Sequence, residues 1–447
     1  MPKSLTLPTA QHYWLLNARV PACLLEDSVP LDPIERLQAS PQQEELVAVD
    51  MEIQNGQIQS LAAAGHTETG ETPTTELKQG LVWPCLVDVH THLDKGHIWP
   101  RQANPNGTFD GALESVQKDR EAHWGAEDVF RRMEFGLKCS YVHGTQAIRT
   151  HIDSFGEQAE ISFAAFRSLQ AEWAGRLALQ AVCLVTLDYF MTPEGEQLAD
   201  LVAETPGGVL GGVAFMNDDI EVQIDRTFAL AHERGLDLDF HTDESLNPDD
   251  ISLRYVAEAK LKHDFTGRVT CDHCCSLSVQ SPEEVEKTLS VVKEAGVAII
   301  SLPMCNLYLQ DREPGRMPRH RGVTLLPEIQ QRGIPIALAS DNCRDPFFAY
   351  GDHDGLEVFV ESVRIGQLDR PYGSWPQAVT STAADILGFP DMARIGVGKP
   401  ADLVCFRART LNELVARRGC DRTVLRNGQP IDSTLPSYAE LDDLVQP

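Results

Sequence analysis

Between residues 83 and 342 the chain alternates short, nearly continuous apolar runs with longer amphipathic segments, and no other feature restricts the fold as strongly. Runs that are apolar throughout suit parallel strands buried on both faces and covered by helices. They fall at 83–90, 145–152, 177–186, 209–215, 236–241, 268–273, 297–302 and 334–341, eight in all. Helices are expected between them, for example over 127–140 and over 280–294, where Ser281-Pro282-Glu283-Glu284 offers an N-cap, a first-turn proline and early acids. Eight such repeats predict an α/β protein with a closed (β/α)8 barrel of the TIM type. The competing arrangement, an open doubly wound sheet, calls for a glycine-rich phosphate loop after the first strand, where His90-Thr91-His92-Leu93-Asp94-Lys95 stands instead.

The flanks have another texture. Residues 12–20, 47–60 and 402–431 carry short β-like runs, with Asn55-Gly56 and Asn427-Gly428 as hairpin signals. Residues 1–80 are too short and irregular to bury a core alone, so a small β-sandwich domain built from both chain ends is expected. The organisation read from the sequence is therefore 1–80 as the N-terminal part of the small β domain, 81–395 as the barrel, and 396–447 as the C-terminal part of the small domain and a tail.

The 447 residues carry a net charge of -28, which repels nucleic-acid phosphates and anionic lipid and leaves a neutral or cationic small molecule as the expected partner. Residues 1–8 contain no signal-like apolar core, and no run of about 18 apolar residues occurs, so a cytoplasmic location without membrane association is expected. Eleven irregularly spaced cysteines are too dilute for a disulfide scaffold and suit buried thiols. Homo-oligomerisation is left open.

Chemistry gathers at the strand ends, where barrel active sites form. His90 and His92 close the first run, and alternation puts both on one side of an extended chain. His241 ends the fifth run, His273 the sixth and Asp341 the eighth. Imidazoles and a carboxylate suit one divalent ion, with His90, His92, His241 and Asp341 as its ligands. The His-x-His pair alone reads equally well as structural, and a single buried histidine is more often a satisfied core residue than a ligand; several at strand ends together point to a metal. Glu244, three residues after His241, is placed to shuttle a proton from a water acidified from 15.7 to about 7 by such an ion. A second ion needs a bridging ligand, often a modified lysine on the fourth strand, and 209–215 has none. His273 is therefore expected to orient or polarise by hydrogen bonding.

These residues, with Arg149-Thr150-His151-Ile152-Asp153 and Asn306-Leu307-Tyr308-Leu309-Gln310, resemble the amidohydrolase superfamily, and its cytosine deaminase-like branch in particular. The resemblance covers about 80–405. It implies a hydrolase of C–N bonds in cyclic amidines that releases ammonia, with a single iron or zinc on the same four ligands, manganese also suiting them. Asp341 then acts beside Glu244 and His273 as a catalytic group.

Departures from that branch concern the substrate. Thr186 and Asp188 stand where the branch places a pyrimidine-reading glutamine, so cytosine itself is doubtful and these two become candidate substrate contacts. Lys95 is similar to the related aminotriazine (isopropylammelide) hydrolases, and Asn342 replaces an expected carboxylate. Phe347 is the candidate ring cover. Lys95 reads as a salt-bridged lysine, Asn342 as a turn residue and Phe347 as packing if these roles fail. A non-catalytic small-molecule-binding homologue is the remaining alternative. Fragments such as His66-Thr67-Glu68 and Cys271-Asp272-His273-Cys274 do not assemble the motif of the unrelated cytidine-type deaminases, and no Gly-x-Ser-x-Gly elbow occurs.

Overall fold

Eight apolar runs pair in chain order as one parallel sheet in the computed structural model of the protein. The structure describes residues 10–26, 36–37, 44–417 and 422–445; the N-terminal run read above and Cys420 lie outside them. The strands are β1 Leu86–Thr91, β2 Thr145–Asp153, β3 Ala178–Leu184, β4 Gly208–Ala214, β5 Leu238–Thr242, β6 Val269–His273, β7 Ala298–Ser301 and β8 Ile336–Leu338. A bridge from Thr91 to Asp341 brings the last strand back to the first, so the sheet closes as the sequence alternation predicts.

The first run divides. Val82–Pro84 pairs antiparallel with Leu403–Phe406 in another sheet, and β1 starts only at Leu86. Pro84 lacks an N–H and Cys85 separates the two pieces, so one apolar run serves two sheets.

Helices fill the intervals. After β1 come α1 Phe109–His123 and α2 Ala126–His143, the second covering the expected 127–140. The helix Pro282–Ala295 starts as its sequence implies, with Ser281 Oγ accepting from the Glu284 N–H and Pro282 in the first turn. In β4 the pair Gly211-Gly212 permits close strand packing, since a Cβ on Gly211 would lie 2.1 Å from Asp239 O.

The chain divides into two units. One comprises 88–139, 147–353 and 436–447 and holds most of the barrel. Within it the C-terminal turn packs Leu441 and Val445 against Phe135 and Cys139 of α2, and Arg131 binds Asp443 at 2.6 Å.

The other unit comprises 1–87, 140–146 and 354–435. Its sheets join both chain ends: His12–Pro21, Leu46–Gln54 and Gln57–Ala63 in one, Leu403–Phe406 and Arg422–Arg426 in the other. Both Asn-Gly pairs turn hairpins, with φ of 50° and 81° at Asn55 and Gly56 and of 48° and 70° at Asn427 and Gly428. The Tyr13 hydroxyl donates to Gly428 O at 2.6 Å, tying the sheets together.

All ten described cysteines are free thiols. Among the described residues no helix is long and apolar enough to cross a membrane.

Candidate functional site

Barrel closure builds the site. Asp88 on β1 accepts the Ser340 N–H at 3.1 Å and its hydroxyl at 2.5 Å, and Asp341 N–H donates to His90 O at 2.9 Å. Thr91 Oγ1 donates to Asp341 O at 2.9 Å. The end of β1 and the residues after β8 are thereby locked in register, and Asp341 takes a left-handed turn at φ 63°. That conformation is costly for a non-glycine residue and is held by these bonds.

The Nε2 atoms of His90 and His92 lie 3.3 Å apart, and Asp341 Oδ1 lies 3.4 and 3.3 Å from them. Donor atoms at 2.0–2.1 Å from one tetrahedral ion are separated by about 3.3–3.4 Å. The triangle thus has the dimensions of a metal face. Asp341 is buried and neither of its oxygens makes a hydrogen bond of acceptable geometry, as expected for a carboxylate shaped for an ion. Burial holds His92 and His241 well below the usual histidine pKa, reinforced by Lys95 and His90 respectively, which keeps both imidazoles neutral and able to ligate. For His90 burial acts the same way, but Asp272 and Asp341 outweigh it and raise its pKa to about 10, a sign that the carboxylates here demand positive charge.

His241 sits beside this triangle in a second, overlapping group with His90, His151 and Asp272. Register pairs His241 with Asp272 across β5 and β6, and His241 Nδ1 lies 3.6 Å from Asp272 Oδ2. Asp272 Oδ2 also approaches His90 Nδ1 at 2.9 Å and His151 Nε2 at 3.5 Å. Below them Asp239 bridges His151 at 3.1 Å and Arg149 at 2.7 Å. Sequence reasoning assigned no role to His151 or Asp272. The available signal was their place at the ends of β2 and β6, the criterion that selected the other ligands.

The segment after β5 aims Glu244. Asp243 turns at φ 50° and accepts from Ser252 N–H and Oγ, both at 2.7 Å, which anchors the loop to the next helix. Gln310 Nε2 donates to Glu244 O at 3.1 Å. Glu244 Oε1 then lies 3.3 Å from His273 Nδ1, and burial, with Asp341 adding to it, pushes its carboxyl well above the usual range. His273 itself turns at φ 65°, so Asp272 and His273 both reach the site although they are consecutive. Asn306 Nδ2 lies 3.0 Å from His273 Nδ1, and His273 Nε2 has no protein partner. Burial lowers the pKa of this histidine to about 3, so the ring is neutral.

A cavity of about 320 Å³ opens over these groups. His92, His241, Glu244, His273 and Asp341 form part of its lining. One face of α1, with Phe109, Leu113 and Val116, and the rings of Phe155, Phe215 and Phe347 supply apolar walls. Of the expected substrate contacts, Thr186, Lys95, Asn342 and Phe347 line the cavity. Asp188 is exposed and lines none of it, because the chain enters a short 3-10 turn at Leu187–Met191 that carries the residue outward. Lys95 is committed to Asp153 at 2.8 Å and lies 5.4 Å from the Phe347 ring centre. Burial opposes its charge, but Asp153, Asp94 and Asp345 prevail and raise its pKa. Asn342 Nδ2 donates to Asp345 Oδ2 at 2.8 Å.

The amidohydrolase family profile matches residues 198–431. A pterin deaminase of Rhizobium rhizogenes is 47% identical over 440 residues, 98% of each chain. An N-isopropylammelide isopropyl amidohydrolase of Pseudomonas sp. is 25% identical over 367 residues, covering 80% of this chain and 87% of the relative. Among solved structures, 5-methylcytosine deaminase from Klebsiella pneumoniae shares the fold with a TM-score of 0.80 at 23% identity, over 95% of this chain and 98% of that one. Fold and site together define a barrel hydrolase with a buried His/Asp centre able to hold a metal. The chain belongs to the amidohydrolase family, and it is a hydrolase of non-peptide C–N bonds.

Proposed function

We propose that the protein is a metal-dependent hydrolytic deaminase of an N-heterocycle, and that its substrate is a pterin, a bicyclic ring bearing an amino group on an amidine-type carbon. The observation that carries the reaction is the meeting of Glu244 and the unpartnered His273 Nε2 with the metal-sized triangle in one cavity. The pterin deaminase 47% identical over 98% of the chain supports the substrate, as do the four phenylalanine rings of the wall, which offer more ring face than a single pyrimidine covers.

His90, His92 and Asp341, with His241 beside them, would hold one divalent ion, and iron, zinc and manganese all suit this set. Such an ion supplies a Lewis acid that brings the pKa of water close to neutrality. Glu244 Oε1 accepts the proton of the attacking water; burial and Asp341 make this carboxylate an unusually strong base. Glu244 gives that proton to a ring nitrogen, then takes the proton of the added hydroxyl and passes it to the amino group, so that the C–N bond breaks, ammonia leaves and a carbonyl remains. His273 Nε2–H donates to the oxygen forming on the attacked carbon. Phe347 covers the ring, and Thr186 and Asn342 offer polar contacts at its edge. Lys95, held by Asp153, carries positive charge into the wall. The ten free thiols fit a reducing, cytoplasmic setting.

A second reading, an aminotriazine hydrolase that expels an alkylamine, rests on Lys95 in the cavity wall and on the relative at 25% identity. The test is release of ammonia and of alkylamine by the metal-reconstituted protein from pterin, cytosine, 5-methylcytosine and N-isopropylammelide. Ammonia from pterin well ahead of the others is the expected result. Isopropylamine release favours the second reading, and no turnover of any of the four compounds overturns both.

A further inference from the structure

We infer that His97, Cys343 and His353 form a second metal site, separate from the catalytic triangle, that takes one zinc-class ion of borderline softness. The three residues are 2%, 1% and 2% exposed, and each offers a donor atom within 4.8 Å of the others. The two imidazole rings are 5.4 Å apart at 51°, converging rather than stacked.

His97 points most directly to an occupant. It is buried at a left-handed φ of 67°, and neither of its ring nitrogens has a hydrogen-bond partner. A neutral imidazole carries one N–H and one lone pair, and hiding both from water without a partner forfeits their full solvation. A metal ion uses the lone pair and recovers its share of that loss. Two imidazoles and a thiolate select zinc over calcium or magnesium, which require oxygen ligands.

The surroundings fit coordination. The His353 backbone N–H donates to the Cys343 sulfur. Thr91 Oγ1 lies 3.4 Å from His353 Nδ1, the outer contact that a ligating imidazole usually has. Gly136 of α2 leaves room for that ring, since a Cβ there would stand 3.1 Å from His353 Nε2. The loops carrying the ligands are already pinned together, His97 N–H to Cys343 O at 3.0 Å and Trp99 N–H to Arg344 O at 2.8 Å. Binding exchanges the Cys343 thiol proton for the ion, leaving one thiolate and two neutral imidazoles.

None of the three residues lines the catalytic cavity. The ion is therefore structural: it braces the loop that presents Lys95 and the loop that runs from Asp341 to Phe347.

The experiment uses the full-length chain reconstituted with zinc and, in parallel, with cobalt. Elemental analysis should give two metals per chain, and the cobalt form should show the near-ultraviolet thiolate-to-cobalt absorption that a His/Asp centre cannot produce. Cys343→Ser should lose that band and one metal while keeping the other; His90→Ala should lose the other and keep the band. One metal per chain without the band in the unmodified protein, or a band that survives Cys343→Ser, overturns the assignment. Should circular dichroism show Cys343→Ser misfolded, His97→Gln replaces it, with zinc at this site weakened at least about tenfold and the cobalt band shifted. Unchanged binding and spectrum in that variant equally overturn it.

Discussion

His90, His92 and Asp341 occupy one side of the end of β1, and His97, Cys343 and His353 the other, with Thr91 between them. Both groups are buried, rich in histidine and tied to the loop 341–353, yet only the first contributes to the lining of the catalytic cavity. Access separates their uses. An ion that meets a cavity can act on a substrate, whereas one enclosed by protein can only hold loops. Donor type follows the same division, an exchangeable carboxylate on the open side and a thiol on the closed one.

Breaking the open side should cost most. Asp341→Ala removes one corner of the triangle, so deamination should fall at least about a thousandfold with loss of the catalytic metal; a loaded, active variant would refute the ligand assignment. Glu244→Gln should lower turnover by about 10²–10⁴ with metal content unchanged. Near-normal rates there would remove the proton shuttle from the mechanism.

The shared loop itself offers a test by pH. Burial raises the pKa of Asp345 to about 7, with Asn342, Lys95 and the Phe347 and Phe348 N–H groups opposing. The native state therefore keeps a proton that the unfolded chain releases above about pH 4. Its contribution is complete below that value and is lost as pH rises through about 7, with a slope of at most about 1.4 kcal/mol per pH unit. Denaturant titrations from pH 4 to 7 should show Asp345→Asn flattening this decline. Identical slopes in the two proteins would exclude the residue as its source. The smallest effect is expected at Thr91→Val, which removes the bond to Asp341 O and the contact to His353: about 1 kcal/mol of stability and a few-fold loss of turnover. Thermal melts and initial rates would measure both, and an effect as large as that of Asp341→Ala would mean that Thr91 does more than connect the two sides.

Most of the barrel was legible because its signals are local. Apolar runs marked all eight strands, and Asn-Gly marked both hairpins. The split of the first run was not legible, since Val82–Pro84 and β1 are equally apolar and differ only in their partners. Within the site, strand ends and coordination chemistry pointed to His90, His92, His241 and Asp341 as the ligands of one ion and to His273 beside them, but to none of the separations between them. Asp188 seemed as well placed as Thr186 until the 3-10 turn carried it outward.

By itself the sequence determined the periodic elements, the chemistry available at their ends and the family, because spacing of two or of about 3.6 residues, turn propensity and motif are properties of neighbouring residues. The tertiary structure alone decided the distances. Asp341 meets His90 and His92 only when the barrel closes; Asp272 and His273 serve one site only because the backbone turns at His273; and His97, Cys343 and His353 converge across some 250 residues of chain. Coordination depends on separations within a few tenths of an ångström. Separations between residues far apart in the chain arise from closure and loop pairing, which no local pattern records.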